Sequence, residues 1–144
     1  MFNLPPDERL SAWLKFRKQL EVSDEPLSDL VEFWHQAPFT PYNKDIDPYN
    51  HKSWPTPWEI IIDNKYDDFT KALLMSWTLK LTDRFKDTKI EIKTYIDNER
   101  KRQYNLVFIE DKSVLNYLDG TVSPPEIVPE SFFMENIIEV QRPR

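Results

Sequence analysis

Asp67-Asp68-Phe69-Thr70-Lys71-Ala72-Leu73-Leu74-Met75-Ser76-Trp77-Thr78-Leu79-Lys80-Leu81 is the stretch that decides how this chain folds. With Tyr66 just ahead of it, Phe69, Leu73, Trp77 and Leu81 recur at helical spacing and form one apolar face, which Ala72, Met75 and Leu79 widen. A helix that is apolar on more than one side must be enclosed. The pattern predicts a central, largely buried helix from about Lys65 to Leu81. Just upstream, Thr56-Pro57-Trp58-Glu59 carries a complete start signal: a threonine cap, a proline in the first helical position, and a glutamate that can reach back to the cap. It predicts a short helical turn from Pro57 to about Ile62, broken by Asp63-Asn64.

Downstream the period changes from helical to alternating. Ile90, Ile92 and Ile96 alternate with Glu91 and Lys93, as in a half-buried strand. Residues 97–103, with Arg100-Lys101-Arg102, read as a charged hairpin loop. Tyr104 to Ile109 follows as a second strand, Glu110-Asp111-Lys112 as a turn, and Ser113 to Tyr117 as a third strand. Leu118-Asp119-Gly120-Thr121 is a turn using the chain's single glycine. Pro124, Pro125 and Pro129 mark an extended connection, and Glu135 to Val140 a final strand.

Upstream, Pro5-Pro6-Asp7 opens a first helix, with Leu10, Trp13, Leu14 and Leu20 as its apolar face and Phe16 off that stripe. Pro26 restarts a shorter helix whose apolar side is Leu27, Leu30, Val31 and Trp34. Helices first and antiparallel strands after them give an α+β class: N-terminal helices and a central helix packed on a small antiparallel sheet of three to four strands. One domain is expected over residues 1–144, with a helical part (1–35), a proline- and aromatic-rich extended segment (36–56), and the helix plus strands (57–144).

The middle segment is unlike a linker. Pro38, Pro41, Pro48 and Pro55 exclude a long helix and a central strand, and Phe39, Tyr42, Tyr49 and Trp54 lie among them. The reading is an ordered strap pinned onto its own domain, with at least one ring left exposed for a partner. Phe39, Tyr42, Tyr49, Trp54 and Trp58 are the candidate binding residues, and the Arg100, Lys101 and Arg102 loop is the next.

Composition closes many routes to catalysis. The chain has no cysteine, two histidines and one glycine in 144 residues. That removes thiol nucleophiles, thiolate metal sites and glycine-rich phosphate loops. His35 and His51 fit no metal-ligand spacing, and no metal or cofactor is expected. Glu59, Asp63, Asp67 and Asp68 cluster at the start of the central helix, where the helix dipole favours acidic residues. A net charge of −6 disfavours a specific nucleic-acid interface. No apolar run reaches membrane length, and the N-terminal residues lack the pattern of a leader, so cytoplasmic synthesis is expected. The basic tail Gln141-Arg142-Pro143-Arg144 is expected to be mobile.

The order from Asn64 to Thr121 resembles the core of the transglutaminase-like, papain-related fold. In that family a helix carries a catalytic cysteine in its first turn, and two following strands carry a histidine and an aspartate. The run Asn64-Lys65-Tyr66-Asp67-Asp68-Phe69-Thr70 matches the helix start. The resemblance puts the cysteine position on Tyr66, or on Asp67 if the register slips by one, the histidine position on Tyr104, and the acid position on Asn116 or Asp119. It implies that Tyr66, Tyr104 and Asn116 lie near one another as a degenerate triad without acyl-transfer activity. Residues 53–59 also look like those of small tailed-bacteriophage proteins.

These readings lead to an expectation that the chain is not an enzyme. It is expected to be a structural or adaptor protein of a larger assembly, such as the neck, connector or baseplate of a phage particle, with protein partners and repeated copies in a symmetric particle. Two alternatives stand beside it. One is an acidic inhibitor of a host protein, whose binding would collapse with added salt. The other is a small carboxylate- or metal-dependent hydrolase built on the acidic cluster.

Overall fold

A computed structural model describes residues 1–143. Its elements are α1 (Pro6–Val22), α2 (Pro26–His35), α3 (Pro57–Asp63), α4 (Asp68–Lys80), β1 (Ile90–Asp97), β2 (Arg102–Ile109), β3 (Ser113–Leu115) and β4 (Phe133–Glu139). Short 3₁₀ turns lie at His51–Ser53 and Pro125–Ile127. The four strands form one antiparallel sheet in the order β3-β2-β1-β4, which is the expected α+β class.

α4 is the enclosed helix at the centre. Residues 72–79 are all buried, so its polar members must find partners within the helix. Ser76 and Thr78 donate to the carbonyls of Ala72 and Leu74, at 2.8 and 2.6 Å. The helix starts at Asp68 rather than Lys65 because Asp67 takes the cap, with its carboxylate accepting from the Thr70 amide at 2.8 Å. α3 begins with the expected capping box between Thr56 and Glu59, and ends on Asn64 in the left-handed region, φ 61°.

α1 departs from its expected facing. Trp13, Phe16 and Leu20 are buried and Leu14 is 44% exposed. The true stripe runs through positions 13, 16 and 20, and Phe16 stacks on Phe33 of α2 with centroids 3.9 Å apart. Arg9 is buried on the same face for a polar reason. Its guanidinium donates to the carbonyls of Ile61, Ile62 and Leu4 at 3.0, 2.7 and 2.6 Å, satisfying the open C-terminal end of α3.

The sheet has two covered faces. Ile90, Ile92, Val107, Ile109, Leu115 and Ile138 join the main core with α4, while Tyr104, Leu106, Phe108 and Val114 face the opposite way under Tyr117, Ile127, Val128 and Phe132. The proline-bearing connection over residues 117–132 is thus a cover for the second face. Among the described residues no helix is long and apolar enough to cross a membrane. Of the basic tail, Arg144 lies outside the described residues. Arg142 and Pro143 line a cavity of about 240 Å³ with Trp54, Trp77 and the end of β4.

Candidate functional site at the start of the central helix

β3 ends at Leu115, which pairs with Val107, so β2 runs on beyond its neighbour. Asn105 therefore has a backbone N–H and C=O that no strand takes. Side chains complete the ladder instead. The Asp68 carboxylate accepts from the Asn105 amide nitrogen at 3.0 Å and from its Nδ2 at 2.9 Å. Asn116 donates through Nδ2 to the Asn105 carbonyl at 2.9 Å and to Asp68 Oδ1 at 3.2 Å. Asn116 reaches both because its backbone is left-handed, φ 71°, a conformation asparagine tolerates better than most residues. Thr94 on β1 donates to Asn105 Oδ1 at 3.0 Å and fixes that amide's orientation.

Asp67 and Asp68 thus do different work. Asp67 caps α4 and also accepts from the Asn43 amide at 3.0 Å, tying the strap to the helix. Asp68 turns toward the sheet. Burial raises its pKa above the ordinary carboxylate range, although the amide donors of Asn105 and Asn116 and the charge of Arg102 pull the other way. The carboxyl borders an open cleft of about 620 Å³ whose walls include Tyr42 and Tyr49 of the strap and Thr94, Gln103 and Asn105 of the strands. The arrangement can hold and release a proton beside a bound polar ligand. It contains neither a thiol nor an imidazole.

A raised acid pKa fixes the sign of a pH effect. The folded chain binds more protons than the unfolded chain between the ordinary aspartate value and the raised one. The stability contributed by protonated Asp68 is full below that window and is lost as pH rises through the folded value. Asp119 works the opposite way. Burial pushes its pKa up, but hydrogen bonds and charge from Lys71 and His35 outweigh burial and lower it, so its contribution is lost on acidification. We expect Asp68→Asn to remove the part of the slope that falls with rising pH, measured by urea unfolding from acid to neutral pH. An unchanged slope would show that Asp68 is not its source.

The structure separates the residues assigned to the degenerate triad. Tyr66 is 1% exposed and packs edge-on against Phe2 and Trp34, with centroids 5.6 and 5.4 Å away. Burial raises its pKa and its hydroxyl has no hydrogen-bond partner. Tyr104 lies on the far face of the sheet, stacked 5.1 Å from Phe132. The side-chain period of a strand is two, so choosing position 104 instead of 105 turned the assigned group away from α4. Asn116 is brought to the helix start; Asp119 instead pairs with His35 and Lys71, at 2.8 and 2.7 Å. The group that meets is Asp68, Asn105 and Asn116. Asp68 had been read with its neighbours as dipole-favoured capping, and Asn105 had no signal beyond being one residue from Tyr104.

The strap is ordered against its own domain. Ile46 and Asn43 are buried, and Trp54 packs 5.7 Å from Phe69 and 6.0 Å from Trp77 while its indole donates to the Asp47 carbonyl at 2.6 Å. Phe39, Tyr42 and Tyr49 remain 72%, 73% and 61% exposed. Trp58 is partly buried against Trp13. Arg100 and Lys101 are exposed at the β1–β2 hairpin tip, and Arg102 lies over the Tyr104 ring at 4.5 Å. His51 stacks on Trp54 at 4.6 Å.

No protein-family model and no curated protein matches the chain. Solved structures of Legionella pneumophila LapG do share its fold. The calcium-bound form matches with a TM-score of 0.67 and 17% identity over 88% of this chain and 72% of that one. The EGTA-treated form gives 0.69 and 16%, over 90% and 71%, and a third structure gives 0.67 and 16%, over 90% and 73%. The chain therefore shares the transglutaminase-like, papain-related fold of these structures. These neighbours overturn the expectation that the chain is not an enzyme. That expectation rested on missing residue types, and a missing cysteine closes only the thiol route. One neighbour is calcium-bound; among the described residues here no three carboxylate, imidazole or thiol groups converge as a metal-ion cluster would.

Proposed function

We propose that this chain is a structural or adaptor protein of a larger assembly and grips a polypeptide partner with its strap. The observation that supports the reading most is the exposure of Phe39, Tyr42 and Tyr49 on a segment held in place by Asn43, Ile46 and Trp54. Rings held by a pinned, proline-bearing backbone lose little freedom on docking and supply large contact area. The cleft behind Tyr42 and Tyr49 offers Asp68, Thr94 and Gln103 to the partner's polar groups. The setting proposed is a tailed-phage particle, at its neck, connector or baseplate, with the chain made in the cytoplasm and present in repeated symmetric copies. A variant carrying Phe39→Ser, Tyr42→Ser and Tyr49→Ser is expected to fold with unchanged circular dichroism and to lose the proteins that the parent chain captures from its producing cells. Capture of the same proteins by both would set this reading aside.

A second reading is favoured by Asp68 itself. A carboxyl with a raised pKa at the wall of an open cleft suits general acid–base work, and so a carboxylate-dependent hydrolase. Peptide hydrolysis abolished by Asp68→Asn would support it, and hydrolysis that survives the substitution would not.

A further inference from the structure

The two edges of the sheet are unlike. β3 has three residues, and its outer side is closed by a pair of hydrogen bonds between Val114 and Ser123, at 2.7 and 2.9 Å. β4 has seven residues and forms the other edge, with β1 as its neighbour in the sheet. The direction of its backbone groups follows from the register. The Val140 amide donates to the Ile90 carbonyl at 2.8 Å, so Val140 and Ile90 are a hydrogen-bonded pair. Pairs alternate along an antiparallel ladder. Ile138 and Asn136, opposite Ile92 and Thr94, therefore bond to β1, while Ile137 and Glu139, opposite Lys93 and Glu91, aim their N–H and C=O away from the sheet. Side chains along this edge are open too. Phe133, Met134 and Ile137 are 61%, 46% and 46% exposed, and Glu135 and Glu139 are exposed between and beyond them. The strand contains no lysine and no proline, the residues that usually blunt such an edge.

We propose that the outer edge of β4 receives an extended strand from another polypeptide, added to the sheet through the Ile137 and Glu139 backbone groups. The partner strand alternates basic and apolar residues, the basic ones answering Glu135 on the α4 side of the sheet and the apolar ones covering Met134 and Ile137 on the other side, where a basic residue at the strand's end meets Glu139. Main-chain bonds give such pairing its affinity, and alternate side chains give it selectivity. The net charge of −6 and two glutamates on this edge favour a basic strand over a second acidic copy of this chain. The backbone groups of Ile137 and Glu139 stand apart from the strap, while Glu135 accepts from the Tyr49 hydroxyl at 3.1 Å and from Gln103 at 3.3 Å and so borders it.

The test uses the full chain and a peptide in which Lys and Val alternate, with a Glu–Val peptide as control. Binding is followed by fluorescence anisotropy and by amide exchange. Protection appearing at Ile137 and Glu139 with the Lys–Val peptide alone is the expected result. Ile137→Pro deletes one outward N–H, a place where an edge strand tolerates proline, and is expected to weaken binding by about tenfold or more. Glu135→Lys with Glu139→Lys keeps every backbone group and is expected to reverse the preference toward the Glu–Val peptide. Equal binding of both peptides by the parent chain, or protection away from β4, would overturn the proposal. So would a concentration-dependent dimer in sedimentation that protects the same amides without peptide, since the occupant would then be a second copy.

Discussion

Trp13→Ala is expected to lower unfolding stability by about 3–5 kcal/mol, the range for large aromatic deletions in cores. Trp13 is fully buried where α1, α3 and α4 meet. Its ring lies edge-on to Trp58 at 6.0 Å, the Arg17 guanidinium sits 4.2 Å above it, and its indole donates to Thr78 Oγ1 at 3.1 Å. The substitution removes the packing that fastens the N-terminal helices to the central one, and rigid helices cannot collapse into the space. Thr78 still donates to the Leu74 carbonyl, so the loss is of packing more than of hydrogen bonding. Denaturant unfolding measures it; a change under about 1 kcal/mol would mean that α1 is peripheral to the cooperative unit.

The second large effect is expected at Asp68. Asp68→Ala leaves the Asn105 amide, the Asn105 side-chain amide and one bond of Asn116 without their acceptor. An unsatisfied buried donor costs about 1–3 kcal/mol, and Asn116 keeps the Asn105 carbonyl, so about 2–4 kcal/mol is expected for the site. The loss should be local as well as global, with faster amide exchange at Asn105 and at the ends of β2 and β3. Asp68→Asn keeps one acceptor and should cost less. A loss under about 1 kcal/mol for alanine would show that the carboxylate is not what holds α4 to the sheet.

Most of the fold was legible because its signals are local. The threonine–proline–glutamate start of α3, the apolar faces of α4 and the alternation in β1 each depend on residues a few positions apart. The facing of α1 was misread because Leu14 and Phe16 compete for one stripe, and only α2, which supplies Phe33, decides between them. The network at Asp68 was not legible for a related reason. Asn105 matters only because β3 stops at Leu115 and leaves its backbone unpaired, a consequence of strand length that no spacing reveals. Asp68 looked like any acidic residue at a helix start. Arg9 was equally silent, since its acceptors lie on α3, far along the chain.

The reading of the strap as a partner-binding element stands or falls on what happens to residues 38–58 when the chain assembles. Hydrogen exchange on the free chain and on the chain within its assembly measures it directly. Backbone amides in the strap that are already hydrogen-bonded, such as Thr40 to the Tyr66 carbonyl, are expected to be protected in both states. Those around Tyr42 and Tyr49 should gain protection only on assembly. Identical protection across residues 38–58 in the two states would contradict the account and make the strap internal packing alone.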